Sequence, residues 1–265
     1  LEHIRSLSRL PHEVVYGSGV RDTHATIPLE AFDVVILHYS VRLSLPDFIS
    51  PYYQRALPGF AGLKVLFIQD EYDTTETARR WIEKLGIGLV FTCVPPEYVE
   101  AVYPRARFPS TTFVQTLTGF VPAEYERALD APSIASRPLM LVYRGRPLPP
   151  WYGALAREKV EIAQRMKALC AARSIPCDIE WTEEKRIYGA DWFRFLASAR
   201  ATLATESGCN VFDFDGDIRR AVEADLARDP ATPWEVLYER HVARHEGPIR
   251  MNQVSPRVFE AISVG

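Results

Sequence analysis

The sequence predicts an α/β fold in two halves, each built on a mainly parallel sheet, and three features of the chain predict it. Short β-branched runs recur: EVVYG, FDVVILHYS, LKVLFIQD, IGLVFTCV and TTFVQTL, then LMLVYRG, PCDIEW and ARATLATES. Amphipathic or polar stretches fill the gaps, and this alternation is the mark of parallel strands joined by crossover helices. Between TTFVQTL and LMLVYRG lies TGFVPAEYERALDAPSIASRP, whose Gly119, Pro122, Pro132 and Pro138 interrupt regular structure. The predicted organisation is a first domain over 1–120, a linker over 121–137 and a second domain over 138–265. With 265 residues, 47% hydrophobic and 25% charged, the chain has an ordinary globular composition and the length for two modest domains.

Helices are predicted over 74–85, with Asp73 as N-cap, and over 96–102, 154–173, 191–199, 217–227 and 233–245. The clearest amphipathic face, Leu155, Val160, Ile162, Met166 and Leu169, reads as a crossover helix packed on a sheet. All five runs of the first half are expected to be strands.

Several function classes are disfavoured. A formal charge of −3 with scattered arginines offers no basic field for nucleic acid. Apolar stretches such as 34–37 and 139–142 fall far short of the roughly 20 residues that cross a bilayer. The opening LEHIRSLSRL lacks the layout of a signal peptide, so a cytoplasmic location is expected. There is no starting Met and the chain stops at AISVG, so the second domain is expected to be incomplete. Cys93, Cys170, Cys177 and Cys209 show no CxxC spacing, and Pro176 lies between the closest two; four reduced thiols are expected, with neither zinc nor a disulfide framework.

Three motifs merit chemistry. YGSG at 16–19 follows a strand-like run, but a dinucleotide fingerprint needs a third glycine and an immediate helix, and RDTHATIP follows instead. VFDFDGD at 211–217 resembles the first motif of haloacid-dehalogenase-type phosphatases, which would make Asp213 the nucleophile and Asp215 the acid/base. Asp217 stands where that motif has Thr, and no lysine follows Lys185. As a calcium loop the same segment has Gly216 in the fourth rather than the sixth position.

The third is a constellation in the second half: YRGRPLPPWYGALAREK at 143–159, LATESGCNVFDFDGD at 203–217 and HEGPIRMNQVSPRVFEAISVG at 245–265, with TGFVP at 118–122 as a hinge. Together these resemble bacterial GT-B glycosyltransferases of the group 1 type, including the spore-maturation-protein-like branch. The resemblance covers most of the chain and is most specific at SPRVFEAISVG, similar to the family's R-x-FEA-x-x-x-G stretch. It implies two Rossmann-like domains facing across a cleft, and transfer of a hexose-like sugar from a nucleotide-diphosphate donor to an acceptor that is a glycan, small molecule or protein.

By the same resemblance Glu260 contacts the nucleotide ribose, while Ser255 and Arg257 stand where a helix starting near Pro256 would point N–H groups at the pyrophosphate. Gly145, Arg146 and Lys159, with Arg144 beside them, match the family's phosphate-side Gly-Arg and Lys. Asn252 stands where the paired-glutamate signature has its first Glu, and Glu206, next to Ser207 in the TESG segment, is the compensating carboxylate. An inverting reaction would need a base in the first half, and His38, Asp70 and Glu71 end predicted strands there. No metal or other cofactor is expected, because cationic side chains and helix N-termini neutralise the leaving diphosphate in this family.

Overall fold

Four of the five runs in the first half become strands. In the computed structural model, which describes residues 2–21, 27–45, 48–121 and 131–265, the chain begins with α1 (Glu2–Leu7), β1 (Val34–Leu37), α2 (Pro51–Gly59), β2 (Leu63–Phe67), α3 (Thr75–Leu85), β3 (Leu89–Thr92), α4 (Pro96–Val102) and β4 (Thr112–Gln115). The strands form one sheet in the order β1-β2-β3-β4, every pairing parallel. EVVYG differs from expectation and carries no strand: Val15 and Tyr16 are exposed, and nearby Val20 makes only a single bridge to Ile49. A run this short, ending in Gly17 with Gly19 close behind, gains no cross-strand partner to hold it.

Helix α3 shows why the pattern was readable. Ala78, Ile82 and Leu85, at helical spacing, are fully buried, and sequestering Ile82 and Leu85 contributes about 1.5–3 kcal/mol each. Gly86 ends the helix at φ 64, a left-handed conformation that glycine adopts without a Cβ penalty. Asp73 is not its N-cap. Thr74 takes that position, because Asp73 is drawn into a bridge with Asp213 and is 4% exposed.

The chain continues with β5 (Leu139–Arg144), α5 (Gly153–Ala172), β6 (Cys177–Glu180), α6 (Ala190–Ala197), β7 (Ala199–Thr202), β8 (Ser207–Val211), α7 (Asp217–Arg228), α8 (Trp234–Leu237), β9 (Glu246–Gln253) and α9 (Pro256–Ile262). A second parallel sheet has the order β6-β5-β7, a Rossmann-like arrangement with the first strand in the middle. As the central strand, β5 buries Leu141, Val142 and Tyr143 in succession, which accounts for its unbroken apolar run. Helix α5 buries Gly153, Leu155, Ala156, Ala163 and Cys170, and Ile162 and Met166 pack against the same core. Small residues supply most of the fully buried positions, and Leu169, expected inside, is exposed.

The predicted helix 233–245 is broken: α8 runs into a π-helical turn at Tyr238–Val242 and a 3-10 turn at Ala243–His245. ARATLATES is a strand only over its first four residues, β7, and ends where β8 begins, and β9 arises where no strand was expected.

Two compact units result, one of Leu1–Thr116, Val211–Glu223 and Gly247–Met251, the other of Leu117–Asn210, Ala224–Glu246 and Asn252–Gly265. The first crossing, between Thr116 and Leu117, lies just before the expected linker over 121–137, of which residues 122–130 lie outside the described ones. The second half is not one continuous domain. Phe212, Ile249 and Met251 bury in the core of the first unit, so their segments return to it. No described helix is long and apolar enough to cross a membrane.

Candidate functional site

In an open parallel sheet, ligands meet the carboxyl ends of strands where the strand order reverses. In the second unit that point lies between β5 and β7, since the chain goes from β5 to β6 on one side and then to β7 on the other. The segments leaving β5 and β7 are Arg144-Gly145-Arg146 and Leu203-Ala204-Thr205-Glu206.

Arg257, in the first turn of α9, joins them. Its Nη2 donates to the Arg144 carbonyl and its Nη1 to the Leu203 carbonyl at 3.4 Å. The guanidinium carbon lies 4.6 Å from the centre of the Tyr143 ring and 5.5 Å from that of Trp192, a double cation–π contact. Its buried Nε has no hydrogen-bond partner among the described residues.

Lys159, on α5, donates to the Glu206 carbonyl at 3.1 Å and to Thr205 Oγ1 at 3.4 Å. Burial lowers its pKa first, and the neighbouring charges of Arg257 and Arg146 lower it further, against an opposing pull from Glu158. The charges of Arg257 and Arg146 thus both act on Lys159 near the switch point.

Gly145 is needed for this packing. A Cβ there would lie 2.8 Å from Tyr143 Cε1 and 3.0 Å from the Lys159 carbonyl oxygen, the same oxygen that accepts from Tyr143 Oη at 2.9 Å.

Two carboxylates border the cluster. Glu260 Oε2 accepts from Trp192 Nε1 at 2.8 Å, which ties α9 to α6. Glu206 accepts from Asn252 Nδ2. Burial raises the Glu158 pKa, and the charge of Glu206 adds to the shift. Helix α9 starts at Pro256 as the sequence predicts, with Ser255 at the N-cap, but it spans only seven residues. Ser207 opens β8 directly after Glu206.

Arg144 does not turn its side chain to this cluster. Its Nη1 and Nη2 grip Asp178 at 2.9 and 2.8 Å, its Nε donates to the Lys185 carbonyl, and its guanidinium stacks 4.2 Å over Phe195. The register explains it: Asp178 pairs with Val142, two residues along the neighbouring strand. Arg144 contributes its carbonyl to the site instead of its charge.

In the first unit the candidate bases differ sharply. The Ser40 backbone N–H donates to His38 Nδ1 at 3.2 Å, so the ring proton sits on Nε2, which is buried and without a partner among the described residues. Burial, and then the nearby His3, brings the His38 pKa down to about 4. Glu71 is 0% exposed; Thr92 Oγ1 donates to its Oε1, Oε2 has no partner among the described residues, and burial pushes its pKa up to about 8. It holds its proton at neutral pH. Asp70, at φ 58, accepts from Tyr72 Oη at 2.8 Å and keeps half of its side chain exposed.

The DFDGD segment is a helix start. Asp213 accepts the N–H groups of Ile218 at 3.2 Å and Arg219 at 2.9 Å, and Gly216 at φ 77 makes the turn between. Asp215 points to solvent, with its carbonyl accepting from Arg220. Among the described residues no three His, Cys, Asp or Glu side chains are grouped to hold a metal ion.

No protein-family model, curated protein or solved structure matches the chain.

Trp192, Tyr143 and Thr205 belong to the site and were missed in the sequence. Trp192 and Glu260 are 68 positions apart, and an aromatic in an amphipathic helix looks like any core residue.

Proposed function

We propose that the chain is a glycosyltransferase of the GT-B type that binds the diphosphate and ribose of a nucleotide sugar on its second unit. The supporting observation is the convergence of Lys159 and Arg257, with Arg146, on the β5/β7 switch point beside a Glu260 carboxylate held by Trp192. A lysine whose charge is opposed by two arginines gains most, together with them, from a ligand carrying two or more negative charges at short range. A carboxylate oriented by an indole N–H offers its remaining lone pairs to hydroxyl donors, the groups a ribose presents. Because α9 is short, the side chains and not the helix carry the anion binding in this reading.

The acceptor is assigned to the first unit. Of its three candidate bases Asp70 is the one open to solvent, so it is the one an acceptor hydroxyl reaches; His38 has its basic nitrogen occupied and Glu71 is sealed off. Sugar donor, acceptor and a cytosolic place of action complete the reading.

The test is a thermal-shift and calorimetric screen of nucleoside diphosphates, nucleotide sugars, the matching nucleosides and inorganic pyrophosphate. Nucleoside diphosphates should raise the melting temperature and nucleosides should not, and Lys159→Met should abolish the difference. Equal silence from every diphosphate and from pyrophosphate would sink the proposal.

A further inference from the structure

The turn from α5 to β6 brings two thiols together. Cys170, in the last turn of α5, is 1% exposed in a core it shares with Leu141, Tyr143, Ala163 and Ile179. Cys177 is the first residue of β6, and strand alternation puts it on the same face as Ile179, turned toward α5. It packs against the core that contains Cys170 and keeps part of its surface open, so the two thiols meet at the edge of one cluster. The connecting turn is fixed by a 2.9 Å bond from the Ile175 N–H to the Cys170 carbonyl and by Ser174 at φ 51.

We propose that Cys170 and Cys177 form an oxidation site, a dithiol that closes to an intrachain disulfide by exchange with a low-molecular-weight disulfide. The partly open Cys177 loses its proton to solvent and attacks one sulfur of the small disulfide; that S–S bond breaks, and half of the reagent leaves as a thiolate that takes up a proton. Cys170 then gives up its proton and attacks the Cys177 sulfur, displacing the second half as a thiol. The chain loses two electrons and two protons, and the reagent gains them. Burial, and then contact with Cys170, raises the Cys177 thiol's pKa, so the attacking thiolate is a minor form at neutral pH and exchange quickens with rising pH. Cys93 and Cys209, both buried, are not placed to compete. The bond would clamp α5 to β6 one residue from Asp178, the partner of Arg144.

The full chain is incubated with oxidised glutathione at pH 8, quenched with acid, and its thiols are alkylated after unfolding and mapped by mass spectrometry. Wild type should lose two of its four alkylatable thiols, and the peptides carrying Cys170 and Cys177 should be recovered joined, two hydrogens lighter than their sum. Dithiothreitol should restore all four. Cys170→Ser and Cys170→Ala, two variants in case one packs poorly, should stop at a glutathione adduct on Cys177, and Cys177→Ser should leave Cys170 unmodified. Recovery of all four thiols from the wild type, or an adduct on Cys177 that never proceeds to the joined peptides, would overturn the proposal.

Discussion

Glu71→Gln should change how the stability of the first unit depends on pH. Glu71 is fully enclosed, with Thr92 donating to one oxygen and no described partner on the other, and its pKa stands at about 8 against the ordinary 4.5. Between those two values the folded protein holds a proton that the unfolded chain has released, so stability falls as pH rises. The contribution is fully present below about pH 4.5 and gone above about pH 8. At about 1.4 kcal/mol per pH unit, the full swing is roughly 5 kcal/mol. Glutamine keeps the shape and never ionises, so the variant should lose this slope while wild type keeps it. Urea unfolding of both proteins from pH 5 to 9, followed by a probe of the β1-β2-β3-β4 sheet, gives the stability difference at each pH. Glu71→Gln should gain on wild type most steeply between about pH 5.5 and 7 and level off above about pH 8. Parallel curves, with a difference constant to within about 1 kcal/mol, would show that Glu71 ionises as it does in water.

Other outcomes follow from single contacts. Glu260→Gln should weaken nucleoside diphosphate binding about 10- to 150-fold, the loss of a charge-assisted bond, and leave a 2′,3′-dideoxy analogue indifferent; a calorimetric double-mutant cycle with zero coupling would remove Glu260 from the ribose. Trp192→Phe deletes the indole N–H to Glu260 and should weaken the same ligand about 2- to 13-fold, with the effect vanishing in the Glu260→Gln background. Gly145→Ala should lower both the donor affinity and the melting temperature, because the added methyl meets the buried Tyr143 ring and the Lys159 carbonyl, and titrations beside thermal melts measure the two effects. Ile82→Ala, which hollows the face of α3, should cost about 2–5 kcal/mol in urea unfolding with no change in nucleotide binding per folded molecule.

Much of the site was legible in the sequence only as isolated residues. Gly145, Arg146, Lys159, Arg257 and Glu260 stand out by resemblance, yet nothing in their spacing states that Arg257 bridges the ends of β5 and β7, or that Arg144 is spent on Asp178. The same holds for the carboxylates of the first unit: Asp70 and Glu71 are neighbours in sequence, but one faces water and the other is sealed, because the left-handed turn at Asp70 sends the next side chain inward toward Thr92. VFDFDGD resembles a phosphatase motif with departures, and in the structure Asp213 caps the helix that follows.

Local periodicity was enough to establish an α/β chain with two parallel sheets. Runs of period two or unbroken apolar character, and helical faces such as Ala78, Ile82 and Leu85, reflect burial that each element must achieve whatever its neighbours are. Tertiary structure alone decided the strand order β6-β5-β7, and with it the switch point where the cations meet. It also decided the return of Phe212, Ile249 and Met251 to the first unit, the exposure of Leu169 on α5, and the meeting of Cys170 with Cys177. These depend on which surfaces pack together across long stretches of chain, and a hydrophobic residue carries the same local pattern whichever core it joins.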